Sequence, residues 1–275
     1  MTSTFSWSRL TTWDATQIAA WGKKLAAGFG EGRGLWLYEN GGWMKLTSWD
    51  PAILVPWGDK LAVGFGSGRG LWTWGAGGWD MLTSWDPTMM TVWGDKLAVG
   101  FGMDRGTWTN DGSWTKLTTW DPETMIVWGT KLAVGFGMNR GTWANDGGGW
   151  AKLSSWDAET LEVVNDALAT DFGDGRGLWA LDTGGWDKLT SWDPEAMKAW
   201  DGGLAVDFGD GRGLWLNKTG GWSRLSSWDP VELDVVGTGL FVAFGSGRGL
   251  WNHDTVGWSQ LTPWDSEQSE AVDLD

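Results

Sequence analysis

The dipeptide Trp-Asp returns along this chain at a nearly fixed interval, and that interval constrains the fold more than any other feature. It stands at Trp13-Asp14, Trp49-Asp50, Trp85-Asp86, Trp120-Asp121, Trp156-Asp157, Trp192-Asp193, Trp228-Asp229 and Trp264-Asp265. Six of the seven steps are 36 residues and the third is 35. The pair closes a longer motif, Trp-x-x-Leu-Thr-Ser-Trp-Asp, which is complete from Trp43 to Asp50 and from Trp79 to Asp86. A period of this size marks a repeat architecture in which each unit buries its apolar face against its neighbours. A single domain over 1–265 is therefore expected, followed by an acidic tail at 266–275 that is too polar to order.

One repeat shows what the unit is. Between Leu46 and Leu82, four strand-like segments alternate with turn signals. Ala52 to Trp57 is a short apolar run, and Lys60 to Gly66 places Leu61, Val63 and Phe65 on one face with Ala62 and Gly64 on the other. Period two in a β-rich segment predicts a strand. Gly70 to Trp74 and Trp79 to Leu82 supply two more. Gly-Asp, Gly-Ser-Gly-Arg-Gly and Gly-Ala-Gly-Gly lie between them and read as hairpin turns. Four short antiparallel strands in about 36 residues make one propeller blade, so the predicted fold is an all-β, seven-bladed β-propeller.

The blade number follows from the Arg-Gly turn, which occurs seven times, at Arg33, Arg69, Arg105, Arg140, Arg176, Arg212 and Arg248, and reads Gly-Arg-Gly in all but the third and fourth, where Asp104 and Asn139 precede the Arg. The Trp-x-x-Leu strand occurs eight times, from Trp7–Leu10 to Trp258–Leu261, so one terminal copy is surplus. Removal of the chain-end seam favours the N-terminal copy as the last strand of the last blade, whereas loop-closure entropy favours the local hairpin at Trp258–Leu261. We expect the N-terminal closure. Asp14, Asp50, Asp86, Asp121, Asp157, Asp193 and Asp229, mostly followed by Pro, are read as structural turn caps that accept the next free backbone N–H groups.

The run from Gly203 to Pro230, GLAVDFGDGRGLWLNKTGGWSRLSSWDP, resembles bacterial tryptophan-rich repeat propellers of the FG-GAP and VCBS-like type. It resembles more loosely the tectonin and fucose-lectin propellers. The likeness extends over the whole chain and implies a bladed propeller, without implying a particular ligand. FG-GAP repeats commonly carry a calcium loop of Asp-x-Asp-x-Asp-Gly type. Here that place holds Gly58-Asp59, Asn165-Asp166 or Asp201-Gly202, so no metal and no cofactor is expected.

Charge and composition narrow the partners. A net charge of −15 with pI near 4.4 opposes binding to a phosphate backbone, which excludes nucleic acid. The same charge keeps a chain with 29 Trp soluble and favours a monomer. There is no Cys, so disulfides and thiolate metal sites are ruled out and the compartment is left open. No apolar run is long enough for membrane insertion, and the segment MTSTFSWSRL has no basic and apolar leader.

The candidate site residues are the seven loop arginines and the tryptophans that precede the first turn of each repeat: Trp21, Trp57, Trp93, Trp128 and Trp200. In the structural reading each Arg stacks on a neighbouring Trp or pairs with an Asp of a Trp-Asp turn. In the functional reading Arg and Trp wall equivalent pockets between blades, where sugar C–H faces pack on indoles and hydroxyls meet planar donors. Val164 and Val236 interrupt the tryptophan column. Asp171 and Asp207 interrupt a column otherwise held by Gly28, Gly64, Gly100 and Gly135, and are read as solvated strand-edge acids. The single His253 has no second ligand or nucleophile beside it in the sequence, so nothing points to catalysis. The function expected is a non-enzymatic, multivalent, carbohydrate-binding module with a glycan partner. The alternative is a protein-interaction or purely structural propeller, recently amplified or designed. A lectin should expose several Trp in concave pockets beside polar groups, and a scaffold should bury nearly all of them.

Overall fold

The structure is a computed structural model and describes residues 9–264. These form seven four-stranded antiparallel sheets with strands in chain order, and no helix occurs among the described residues. This is the seven-bladed β-propeller class. In the second blade the strands are Ile53–Trp57, Lys60–Gly64, Leu71–Gly75 and Gly78–Thr83, close to the segments expected from period and turn residues. The second to sixth blades form one compact unit, within 53–229. The first and seventh blades, within 9–52 and 230–264, form another. The predicted tail at 266–275 lies outside the described residues.

The alternation of large and small residues in the second strand explains how blades stack. Leu97 and Val99 of the third blade pack with Phe101 against Ala62 of the second blade, and Leu132, Val134 and Phe136 of the fourth pack against Ala98 of the third. Ala169 of the fifth blade likewise receives Leu204, Val206 and Phe208 of the sixth. Each second strand thus presents a bulky face one way and an alanine face the other. The two fit because volume on one side is matched by its absence on the other.

A β-bulge in the fourth strand supplies a second tie. In the second blade Leu71 pairs with Thr83 and Trp72 with Met81, which leaves Leu82 outside the ladder. Such a residue has a carbonyl in need of a donor. The indole N–H of Trp114 in the next blade donates to it at 3.2 Å. The bulged Leu117, Leu153 and Leu189 accept in the same way from Trp150, Trp186 and Trp222 at 3.1, 3.1 and 3.2 Å.

The expected N-terminal closure is corrected. The seventh blade takes its fourth strand, Gly257–Thr262, from the local hairpin, in line with the smaller entropy of short loop closure. Of the N-terminal copy, Trp7 lies outside the described residues, while the Leu10 carbonyl accepts the Trp43 indole N–H at 3.0 Å. The stretch before the first blade therefore stands where a preceding blade's bulge would stand. Trp13 packs edge-on to Phe29 at 5.5 Å, whereas Trp264 is left 75% exposed.

Candidate functional site

The Phe-Gly-x-Gly-Arg-Gly loop joins the second and third strands and has a left-handed backbone. In the first blade Gly30, Glu31, Gly32 and Gly34 all have positive φ, which turns successive N–H groups to one side. At Gly34 the requirement for glycine is also steric, since a Cβ would lie 2.1 Å from the Thr47 carbonyl oxygen. The Asp50 carboxylate fills the concavity, accepting from Gly32 N at 2.6 Å and Gly34 N at 2.7 Å. Asp193 does the same to Gly175 and Gly177 at 2.8 and 2.7 Å, and Asp229 to Gly211 and Gly213 at 2.7 and 2.6 Å. Asp86, Asp121 and Asp157 repeat the arrangement. The amides these aspartates hold lie behind them in the chain, across the same blade, and not ahead as the turn-cap reading expects. Asp14 precedes the first such loop and has no counterpart role. The chain's own carboxylates occupy these anion-binding nests.

The loop arginines point over the tryptophan of the preceding Trp-Asp pair. Arg33, Arg105, Arg140, Arg176 and Arg212 lie 6.0, 5.3, 5.7, 5.8 and 5.6 Å from the rings of Trp13, Trp85, Trp120, Trp156 and Trp192. Three also meet the acid two residues earlier: Arg33 with Glu31, Arg176 with Asp174 and Arg212 with Asp210. Arg69 and Arg248 occupy the same loop position, their backbone N–H groups donating to Gly66 and Gly245.

The tryptophans nominated from sequence sit elsewhere. Trp57, Trp93 and Trp128 end the first strand of their blades and donate their indole N–H to a turn carbonyl of the next blade, at Asp95, Thr130 and Asp166. Trp200 is buried, with Lys218 at 5.9 Å, and Trp21 lies under Lys24 at 5.8 Å. Where Val164 replaces Trp, the neighbouring Asn165 amide makes the equivalent bond to Gly202 at 3.3 Å.

The rings that face outward in pockets are those of the Trp-Asp pairs. Trp49, Trp85, Trp156, Trp192 and Trp228 are 38–44% exposed, a narrow range that repeats with the fold. Trp192 stands edge-on to Phe208 at 5.4 Å and to Trp215 at 6.3 Å, and Trp222 closes the far side of Phe208 at 5.4 Å. With Leu189 and Thr190 they line a pocket of about 210 Å³. Its counterpart in the other unit, of about 330 Å³, is lined by Thr11, Thr12, Trp13, Phe29, Trp36 and Trp43. A cation stands over the third-strand ring as well: Lys45, Lys116, Lys152, Lys188 and Arg224 lie 5.2–5.7 Å from Trp36, Trp108, Trp143, Trp179 and Trp215. Sequence reasoning passed over these exposed rings because a residue present in every copy reads as packing. The recurring Lys or Arg two positions after the fourth-strand Trp signals only the third-strand rings it covers.

Asp171 and Asp207 are 1% and 2% exposed and end central strands, so the reading of solvated edge acids is corrected. Burial pushes each carboxyl up to about 6, against the lowering effect of a backbone N–H from Gly173 or Gly209, with Glu159 and Asp193 or Asp229 and Glu195 adding to the rise. His253 packs edge-on to Trp258 at 4.7 Å.

No protein-family model matches the chain, and no curated protein matches it in sequence. Among solved structures it is similar to the extracellular domain of the one component system BT4673 from B. thetaiotaomicron, at 13% identity and TM-score 0.58. The match covers 84% of this chain and 37% of that one, so the chain spans little more than a third of that extracellular domain's length. It is also similar to virginiamycin B lyase from Staphylococcus aureus, at 12% identity and TM-score 0.58 over 82% of this chain and 90% of the lyase. BBS1N, solved in complex with ARL6DN, matches at 14% identity and TM-score 0.56 over 85% of this chain and 89% of its own. An extracellular domain, a lyase and a protein solved in a complex share the architecture, and at these identities the likeness is one of fold.

Proposed function

We propose that this chain is a non-catalytic, multivalent carbohydrate-binding module whose sites are the aromatic pockets at the Trp-Asp tryptophans. The observation that carries this reading is the exposed ring set, with Trp192 at 44% and Trp13 at 42% in pockets lined by further rings and threonines. Sugars offer C–H faces to indoles and hydroxyls to guanidinium and hydroxyl groups, and both partners are present here. Arg212 and Arg33, 5.6 and 6.0 Å from the rings of Trp192 and Trp13, brace those rings and supply the nearby guanidinium donors. Many weak, equivalent sites gain by multivalency what each lacks singly. The looser resemblance to tectonin and fucose-lectin propellers supports the same class.

The test is a glycan array probed with the labelled full chain, followed by tryptophan fluorescence titration of any hit. Saturable binding with several sites, one fewer in Trp192→Ala and one fewer again in Trp13→Ala/Trp192→Ala, is the expected result. A blank array from well-folded protein overturns the proposal. A protein partner is the second reading, favoured by the neighbour solved with ARL6DN and by the enrichment of Trp in interaction hot spots.

A further inference from the structure

The fifth blade departs from the repeat at both residues flanking its first hairpin turn, as the seventh does with Val236 and Gly239. At the end of the first strand, Val164 stands where Trp57, Trp93 and Trp128 stand in other blades. At the start of the second strand, Ala167 and Gly203 replace Lys24, Lys60, Lys96 and Lys131. One indole and one lysine are thus missing from the fifth-blade wall, while at Gly203 the Lys218 stem and the Asn217 carbonyl occupy the place a Cβ would take. The space they leave is a cleft of about 570 Å³, lined by Val164, Ala167, Asp182, Asp187, Gly203 and Lys218 among others. That volume lies within the usual range for a small-molecule site. The cleft shares only Leu189 with the neighbouring aromatic pocket.

The missing lysine also changes the charge of the cleft. In the first and third blades the second-strand lysine pairs with the acid at the end of the third strand, Lys24 with Glu39 at 3.7 Å and Lys96 with Asp111 at 3.2 Å. Asp182 holds the same register position as Glu39, but opposite it stands Ala167. Among the described residues Asp182 has no ion-pair partner; one of its oxygens accepts the Gly184 N–H at 2.7 Å. Asp166 and Asp187 also line the cleft, and its one ammonium, that of Lys218, is engaged by Asp201. An apolar floor of Val164, Ala180 and Leu204 lies under this acidic rim.

We propose that this cleft is a second ligand site, distinct from the aromatic pockets, and that it takes a primary aliphatic amine whose ammonium replaces the missing lysine at Asp182. The occupant's methylenes cover the apolar floor as a lysine stem would. A sugar lacks a stacking ring here, and an anion meets the carboxylates.

The test is isothermal titration of the full chain with cadaverine at 0.15 M salt. One saturable site is expected, weakened at least tenfold in Asp182→Asn and abolished in Ala167→Lys, which restores the ion pair of the other blades. Val164→Trp, which refills the cleft without touching a charge, is expected to abolish it too. Cadaverine uptake that never saturates, or that is the same in Ala167→Lys and Val164→Trp as in the parent, overturns the proposal. Loss in Asp182→Asn with full binding in Val164→Trp also overturns it, since the cleft then plays no part.

Discussion

The carboxylate clasp can be tested against a control within the same sequence. In Asp193→Asn one carboxylate oxygen becomes an NH₂ group, so one of the two bonds, to Gly175 N at 2.8 Å or Gly177 N at 2.7 Å, is lost and the other loses its charge. A hydrogen bond to a charged group contributes about 1.5–3 kcal/mol, and the surviving neutral bond about 1 kcal/mol. Two charged bonds replaced by one neutral bond remove about 2–5 kcal/mol. For a chain of 275 residues the unfolding entropy is about 0.6 kcal/mol per kelvin, so the expected fall in Tm is about 3–8 °C. Asp14→Asn makes the same chemical change in the same Trp-Asp dipeptide, at a carboxylate that clasps no loop amide among the described residues. Its Tm should move by under 1 °C. Calorimetry gives the two values, and amide exchange gives the mechanism: Gly175 and Gly177 should lose protection in Asp193→Asn while loop amides of other blades keep theirs. Equal Tm shifts in the two variants, or unchanged protection at Gly175 and Gly177, would refute the clasp.

Two further outcomes follow from named contacts. Asp171 and Asp207 have folded values raised from 3.8 to about 6, so the folded state binds their protons more tightly than the unfolded chain does. The resulting stabilisation is complete below about pH 4 and is lost as pH rises through about 6, at about 3 kcal/mol for each group. Tm profiles from pH 4 to 7 should therefore fall more steeply for the parent than for Asp171→Asn/Asp207→Asn, and parallel profiles would contradict the burial argument. Arg105→Ala removes the guanidinium 5.3 Å from the Trp85 ring and should lower Tm by about 1–2 °C, as loss of about 1 kcal/mol implies. No shift on calorimetry would mean that the pair does not brace the blades.

The fold was legible because its two signals are local. Alternation in Leu61–Ala62–Val63–Gly64 and the Gly-rich turns on either side place strands without reference to anything distant. The stacking rule was present in the same letters, since the Leu/Val face and the Ala face of one strand are the two halves of a blade interface. Register was not legible. Trp-x-x-Leu states which residues follow one another, but whether Leu82 stays in the ladder or bulges out depends on how Leu71 pairs with Thr83, twelve residues away. The partners of Asp193 were hidden for a similar reason, because they lie 16 and 18 residues back on another loop. The exposure of Trp192 and the burial of Asp171 are set by adjoining blades, and a single repeat contains neither neighbour.

The bonds between blades end mostly on backbone atoms, and this shapes where the chain is free to vary. The indole of Trp114 needs the Leu82 carbonyl that the bulge frees, and the indole of Trp93 needs the Thr130 carbonyl that a turn frees. Neither bond depends on the identity of the accepting side chain. A repeat can therefore change a side chain and keep its tie, as the fifth blade does when Asn165 bonds Gly202 in place of an indole. The loss of Trp at 164 consequently opens volume between two blades while preserving the hydrogen bond that holds them. Divergence at Val164 is structurally tolerated for that reason, and Val164 and Ala167 both line the cleft.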